Sequence, residues 1–264
     1  MAKNYTKNRW AHLARYAVER GLRCCGLYRG RAYCHILFVE DEGKKFDVVK
    51  KNLLKGAKAD LLVKPHIDAH HLNSSQILCY NFFRPLIDKN GGATQELVDR
   101  LSEQGILIEK GAKCTFEYED DLGDGTQFDF HIASGETEVF FEVKYTEKEF
   151  GPIKRESSAR TQYKERYAVQ FGKQNCLVEK PQDEDDFIKK AKNDYQLYRN
   201  AIRITDKNKH LVLLYPKENE NVEKEAQLFY DQKINDDYKE NVHLVHWENI
   251  VDKESELYKK YFAE

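Results

Sequence analysis

No apolar run in this chain approaches the ~20 residues that a membrane-spanning helix needs. The longest, Ile36–Val39 and Leu211–Tyr215, are only strand-sized. The opening Met-Ala-Lys-Asn-Tyr lacks the apolar stretch of a secretory signal. Paired cysteines are missing as well. Six cysteines at irregular spacing in a chain of 264 residues suit reduced thiols rather than a disulfide framework. No internal repeat and no low-complexity segment is present. These absences argue against a membrane protein, a small secreted scaffold and a solenoid, and the expected location is the cytoplasm.

What is present is charge and aromatic surface. Charged residues make up 33% of the chain and aromatics 12%, the composition of a globular protein rather than a disordered one. The length allows one large domain, or one domain with a smaller attachment. The formal net charge of −2 hides an asymmetry. Residues 1–35 hold Lys3, Lys7, Arg9, Arg15, Arg20, Arg23, Arg29 and Arg31 against Glu19 alone. Such a segment suits either a polyanion-facing end or a solvated basic helix.

The pattern predicts a helix over 6–20 with Thr6 as its cap, strands at Leu22–Leu27 and Arg31–Val39, and a short helix through Phe46–Leu54. Residues 1–60 are therefore expected to form a small αββα extension, and 61–264 the main domain. Within the extension Cys24, Cys25, Cys34 and His35 lack the paired spacing of a zinc site, which favours core thiols. His66, Asp68, His70 and His71 fall between Pro65 and the Asn73-Ser74 cap, so a loop with a structural or solvated role is expected there. A helix follows from Ser74 through Leu86, bearing Gln76, and another spans 94–104. Ile106–Ile108 reads as a short strand and Lys113–Asp120 as a longer one. The acidic turn Asp121–Gly125 reads as a tight loop. Residues 154–170 interleave cations with aromatics, as a nucleic-acid surface or an ordinary amphipathic helix does. Residues 186–203 read as one continuous helix, followed by a buried strand at His210–Tyr215, a helix at Glu223–Tyr230 and a strand at Val242–Trp247.

The chemistry concentrates in residues 126–145. Phe128, Phe130 and Ile132 alternate with Gln127, Asp129 and His131, the period of a strand. After a turn at Ser134-Gly135, Val139, Phe141, Val143 and Tyr145 share one face and Phe140, Glu142 and Lys144 the other. Asp129 and Glu142 are the hard oxygen ligands that Mg²⁺ prefers, and the carbonyl of Val143 adds a third oxygen. Lys144 would stand beside them to orient a water or balance charge at phosphorus. A charged strand face is also what ordinary solvent exposure produces, and D…ExK arises readily in a chain this rich in Asp, Glu and Lys.

Asp129 within Phe-Asp-Phe, followed thirteen residues later by Glu142-Val143-Lys144, resembles the PD-(D/E)XK nuclease superfamily, the restriction-endonuclease-like fold. The stretches His71–Gln76 with Asn81-Phe82-Phe83, and Glu142–Gly151, resemble a restriction-endonuclease branch of it. The resemblance covers about residues 66–250. It implies an α/β fold, a mixed sheet with an αβββαβ core flanked by helices. It also implies that Asp129 and Glu142 are metal ligands and that Lys144 is catalytic; with the Val143 carbonyl as a third oxygen, the expected cofactor is Mg²⁺, with Mn²⁺ as a substitute. Many members carry a glutamate on the first core helix, where this chain has Gln76. Either Gln76 takes that place, or Glu96 or Glu117 does, or one metal suffices. The proline of the motif name is absent before Asp129. The expected function is metal-dependent endonucleolytic hydrolysis of DNA, of restriction or repair type, leaving a 5′-phosphate. Cutting both strands would call for a homodimer. The alternative is a non-catalytic DNA- or partner-binding domain that keeps the nuclease fold.

Overall fold

The structure, a computed structural model, describes residues 4–57, 65–173 and 175–263. Lys3 and the expected boundary between residues 60 and 61 lie outside them. The chain folds into two compact units. One comprises Met1–Gly111, Pro216–Asn219 and His246–Glu264, the other Ala112–Tyr215 and Glu220–Val245.

The first unit opens with α1 (Tyr5–Glu19), whose inward stripe carries Leu13, Tyr16 and Ala17. Thr6 lies inside this helix; Asn4 is at its cap position without a side-chain bond. Strands β1 (Cys24–Tyr28) and β2 (Arg31–Leu37) pair antiparallel across Arg29 and Gly30. Both turn residues have positive φ (50° and 76°), the pair a tight hairpin turn requires. Cys25 and Cys34 are exposed, with their sulfurs 2.8 Å apart, and Cys24 is half-buried, so the expectation of core thiols fails for all three. After α2 (Lys45–Asn52), Asn52 donates to the carbonyls of Ala69 and His71 and so pins the histidine-bearing loop. Ser74 caps α3 (Ser75–Phe83) by accepting the N–H of Ile77, and Thr94 caps α4 (Gln95–Ser102) in the same way. Ile106–Ile108 is not a strand. Its burial alternates as a strand's does, with Leu107 75% exposed, but it joins no ladder among the described residues.

The second unit is built on a five-stranded mixed sheet in the order β3-β4-β5-β6-β7. Strands β3 (Lys113–Glu119), β4 (Gln127–Ser134) and β5 (Thr137–Val143) run antiparallel, with Ser134 opposite Thr137 across the turn. Helical segments then cover the sheet: α5 (Glu156–Gln162), a π-turn at Tyr163–Tyr167, α6 (Ala168–Lys173), α7 (Glu184–Ala191) and α8 (Tyr195–Ala201). Strand β6 (Lys209–Tyr215) adds parallel to β5, as a helical crossover demands, and stops at Pro216. Helix α9 (Glu220–Lys233) precedes β7 (Val242–His246). Phe128, Phe140, Leu211 and Leu213 from the sheet pack with Phe187, Leu197 and Tyr198 from the helices. His131, placed by alternation on the polar face, is only 3% exposed and stacks on Tyr118, because helices cover that face too.

The single helix expected over 186–203 is two. The chain breaks after Ala191, where the carbonyl of Lys192 accepts the N–H of Ile153 and the N–H of Gln196 reaches the carbonyl of Gly151. The loop after β5 thus takes up backbone groups that a continuous helix would have used. The chain returns to the first unit for α10 (Trp247–Ile250) and α11 (Glu256–Tyr261), where Tyr261 accepts a bond from Asn81 of α3. The fold is the expected mixed α/β type, a five-stranded mixed sheet and a two-stranded sheet flanked by helices. No helix among the described residues is long and apolar enough to cross a membrane.

Candidate active site

Strands β4 and β5 pair from Ser134↔Thr137 up to Phe130↔Phe141, and the ladder stops there. At the next step Asp129 Oδ2 accepts the N–H of Val143 at 2.7 Å, so a carboxylate stands where a strand carbonyl would otherwise be. In an extended strand a residue's carbonyl points the same way as its N–H, so Val143 turns both groups towards the β4 side. On its other edge β5 stays paired, with Glu142 opposite Leu213 and the N–H of Lys144 donating to the carbonyl of Leu214. The strand ends therefore diverge on one side and stay fixed on the other, which opens a notch lined by Asp129, Glu142 and Lys144.

The Glu142 carboxylate is held by three donors. Its Oε1 accepts from Lys144 Nζ at 2.8 Å and from Gln196 Nε2 at 2.7 Å, and its Oε2 accepts from Asn200 Nδ2 at 3.0 Å. Lys144 Nζ also donates to Gln196 Oε1 at 2.9 Å, closing a ring of three side chains. Glu142 and Lys144 are 3% and 7% exposed, and Asn200 is fully buried. Burial, with the like charge of Glu142 next in effect, raises the Asp129 pKa well above its ordinary value. Burial on its own would lower Lys144, but Glu142, Glu147 and Asp129 outweigh it and hold the ammonium charged.

Gln196 and Asn200, one turn apart on α8, are the partners that sequence reasoning did not place here. Their alignment depends on the break before α8, which periodicity did not reveal. The acidic turn before β4 has its own task. Asp120 and Asp124 grip Arg203, and Asp124 is driven down to about 2 because the guanidinium's hydrogen bond and charge overcome the effect of burial.

Of the candidates for a further acid, Gln76 belongs to the first unit, where its Oε1 accepts the backbone N–H of His66. Glu96, on α4, is engaged by Arg100. Glu117 is on β3 between the pairs Phe116↔Phe130 and Tyr118↔Phe128, which places it across from Asp129. Its charge contributes to the raised pKa of Asp129, and its φ is +48°, a left-handed value rare for a non-glycine residue in a strand.

The donor set suits a hard divalent cation. Two carboxylates, the carbonyl of Val143 and the amide oxygen of Gln196 are all oxygen ligands, the kind that Mg²⁺ or Mn²⁺ takes. Asp129 and Glu142 repel one another in a buried notch, and a cation between them would relieve that repulsion. Among the described residues no group of three or more His, Cys, Asp or Glu side chains converges in metal-ligating geometry, so the oxygen set here is two carboxylates completed by amide and backbone oxygens.

A family model described as Restriction Endonuclease associating with ARP matches residues 11–264. No curated protein and no solved structure matches this chain.

Proposed function

We propose that this chain, which belongs to the family of restriction endonucleases associating with ARP, is a Mg²⁺-dependent endodeoxyribonuclease of the PD-(D/E)XK type that hydrolyses DNA and leaves a 5′-phosphate. The observation that carries this reading is the notch where β4 and β5 diverge, with Asp129, Glu142 and Lys144 facing one another. Asp129, Glu142 and the Val143 carbonyl would hold the cation. Bound there, it supplies concentrated positive charge and Lewis acidity for hydrolysis.

The chain's own groups do the positioning. Asn200 fixes one oxygen of Glu142, which keeps the carboxylate plane in register with Asp129. Gln196 holds Lys144 through its carbonyl and Glu142 through its amino group, so a shift in either is felt by both. The Lys144 ammonium is placed to stabilise negative charge that builds on phosphate oxygens as water attacks phosphorus and the P–O3′ bond breaks. Mn²⁺ would serve in place of Mg²⁺, since both are hard octahedral ions. Cutting both strands of a duplex would take two such centres, one from each of two copies.

The test incubates the full chain with linear and supercoiled DNA in Mg²⁺ or Mn²⁺, beside Asp129→Ala and Lys144→Ala. Wild-type protein is expected to cut, and each variant to lose at least about 100-fold. Cutting that survives both substitutions, or proceeds equally in EDTA, overturns the reading.

A further inference from the structure

Of the six cysteines, Cys25 and Cys34 are exposed, Cys79 and Cys176 are buried, and Cys24 and Cys114 are half-buried. The two exposed thiols meet across the β1–β2 hairpin. Gly26 pairs with Tyr33 and Leu27 with Ala32, and one further step in this register sets Cys25 opposite Cys34. Their sulfurs are 2.8 Å apart, inside the contact distance of two unbonded sulfur atoms and a short movement from the ~2.05 Å of a covalent S–S bond.

The backbone at this point is irregular. The ladder skips from Gly26↔Tyr33 to Cys24↔Leu37, and Cys25 has φ +67°, a left-handed value that an L-residue holds only under strain. Strain of this kind collects at functional positions. The hydrogen bond with Cys25 raises the pKa of the Cys34 thiol, so the reduced pair shares a proton. Residues 23–37 also carry Arg23, Arg29 and Arg31 and no Asp or Glu, a positive setting that attracts an anionic oxidant. No group of three or more metal-ligating side chains gathers among the described residues, so the pair has the makings of a dithiol rather than of a metal centre.

We infer that Cys25 and Cys34 form a reversible redox site, which a small anionic disulfide such as glutathione disulfide closes into a cross-strand bridge. One thiol, as its thiolate, attacks the glutathione disulfide, forming a mixed disulfide and releasing one glutathione thiolate. The second thiol then attacks the protein sulfur of that mixed disulfide and displaces the other glutathione. The two thiol protons leave on the two glutathione molecules, so the protein loses two electrons and the oxidant gains them. The second step is intramolecular between neighbouring sulfurs and therefore outruns capping of both thiols. The bridge ties the strands together where the ladder skips and stiffens the hairpin. This site belongs to the first unit and is independent of the nuclease reading.

The experiment treats the reduced full chain with glutathione disulfide and counts free thiols in denaturant, with mass spectrometry and peptide mapping. Two of the six thiols should be lost, with bridged protein exceeding the glutathione-capped form at least about tenfold. Dithiothreitol should restore both. Cys24→Ser should keep the bridge, whereas Cys25→Ser should lose it and leave Cys34 capped by glutathione. Amide hydrogen exchange over residues 24–37 should slow at least about tenfold in the bridged protein. Thiols that survive the oxidant, capping without closure, a bridge that Cys24→Ser abolishes, or exchange unchanged by bridging would each overturn the inference. Asp129→Ala should bridge as wild type does, so loss of DNA cutting and loss of bridging are read separately.

Discussion

Asn200 and Glu117 flank the two carboxylates of the notch, and each invites its own test. Asn200 gives Glu142 Oε2 a hydrogen bond from a fully buried position, so the amide is there to hold a charge rather than to fill space. Asn200→Leu leaves that oxygen short of a donor and should cost about 1–3 kcal/mol in urea unfolding. Asn200→Asp sets a second carboxylate against Glu142 and should cost more than Asn200→Leu; the reverse order would show that Asn200 acts through its volume. Glu117 is held at φ +48° opposite Asp129. A left-handed backbone costs an L-residue about 1–2 kcal/mol, and glycine escapes the cost. Glu117→Ala removes the charge and keeps the strain, whereas Glu117→Gly removes both. The glycine variant should therefore be more stable than the alanine variant by about 1 kcal/mol, and equal urea midpoints would show that the backbone there is unstrained.

At the scale of elements, what the sequence revealed and what it hid divide by the range of the interactions involved. The hairpin was legible because period-2 alternation and a glycine turn are local signals: Gly135 takes φ +61° where Ser134-Gly135 was read as the turn. The strand pair therefore brought Asp129, Glu142 and Lys144 together as expected. The helix cap at Ser74 was legible for the same local reason. The break between α7 and α8 was not. It depends on backbone bonds from the loop at Gly151 and Ile153, some forty residues earlier in the chain, and no local pattern reports such a partner. The roles of Gln196 and Asn200 were hidden with it. Gly151 is the hinge of this arrangement, with φ +93° and the side chain of Gln196 just beyond where a Cβ would stand. Gly151→Ala meets no hard clash but must hold the strained φ, so a loss of about 1 kcal/mol or more in thermal or urea unfolding is expected. If the loop sets α8, cleavage should fall further than that stability loss accounts for. Unchanged cleavage in protein that is still folded would show that Gly151 does not place Gln196.

For the whole molecule, buried ionisable groups in the two units pull stability in opposite directions with pH. In the first unit His35, stacked on Trp10, is lowered to about 4 by burial and then by the charge of His71, which is itself lowered to about 4. Both histidines are neutral when folded, so the unfolded chain binds more protons between about pH 4 and 6.5. Their stabilisation is present above 6.5 and is lost as the pH falls towards 4. In the second unit Glu225, which accepts the N–H of Phe150, is raised to about 7 mainly by burial. There the folded state holds the extra proton, and stability is lost as the pH rises from about 4.5 through 7. His131 and His210, also lowered in that unit, add an acid-sensitive part of the first kind, so wild-type curves alone mix the signs. Single variants separate them. His35→Phe keeps the aromatic stack and removes one titration. Relative to wild type it should gain stability as the pH drops from 6.5 to 4, by about 2 kcal/mol at most, because the two histidines share part of their shift. Glu225→Gln keeps an acceptor for Phe150 and should gain as the pH rises from 4.5 to 7.5, by about 1 kcal/mol once solvent screening of its partly exposed side chain is allowed for. Urea midpoints measured at several pH values give both differences, and variant and wild-type curves that stay parallel would show that neither group is perturbed by its burial.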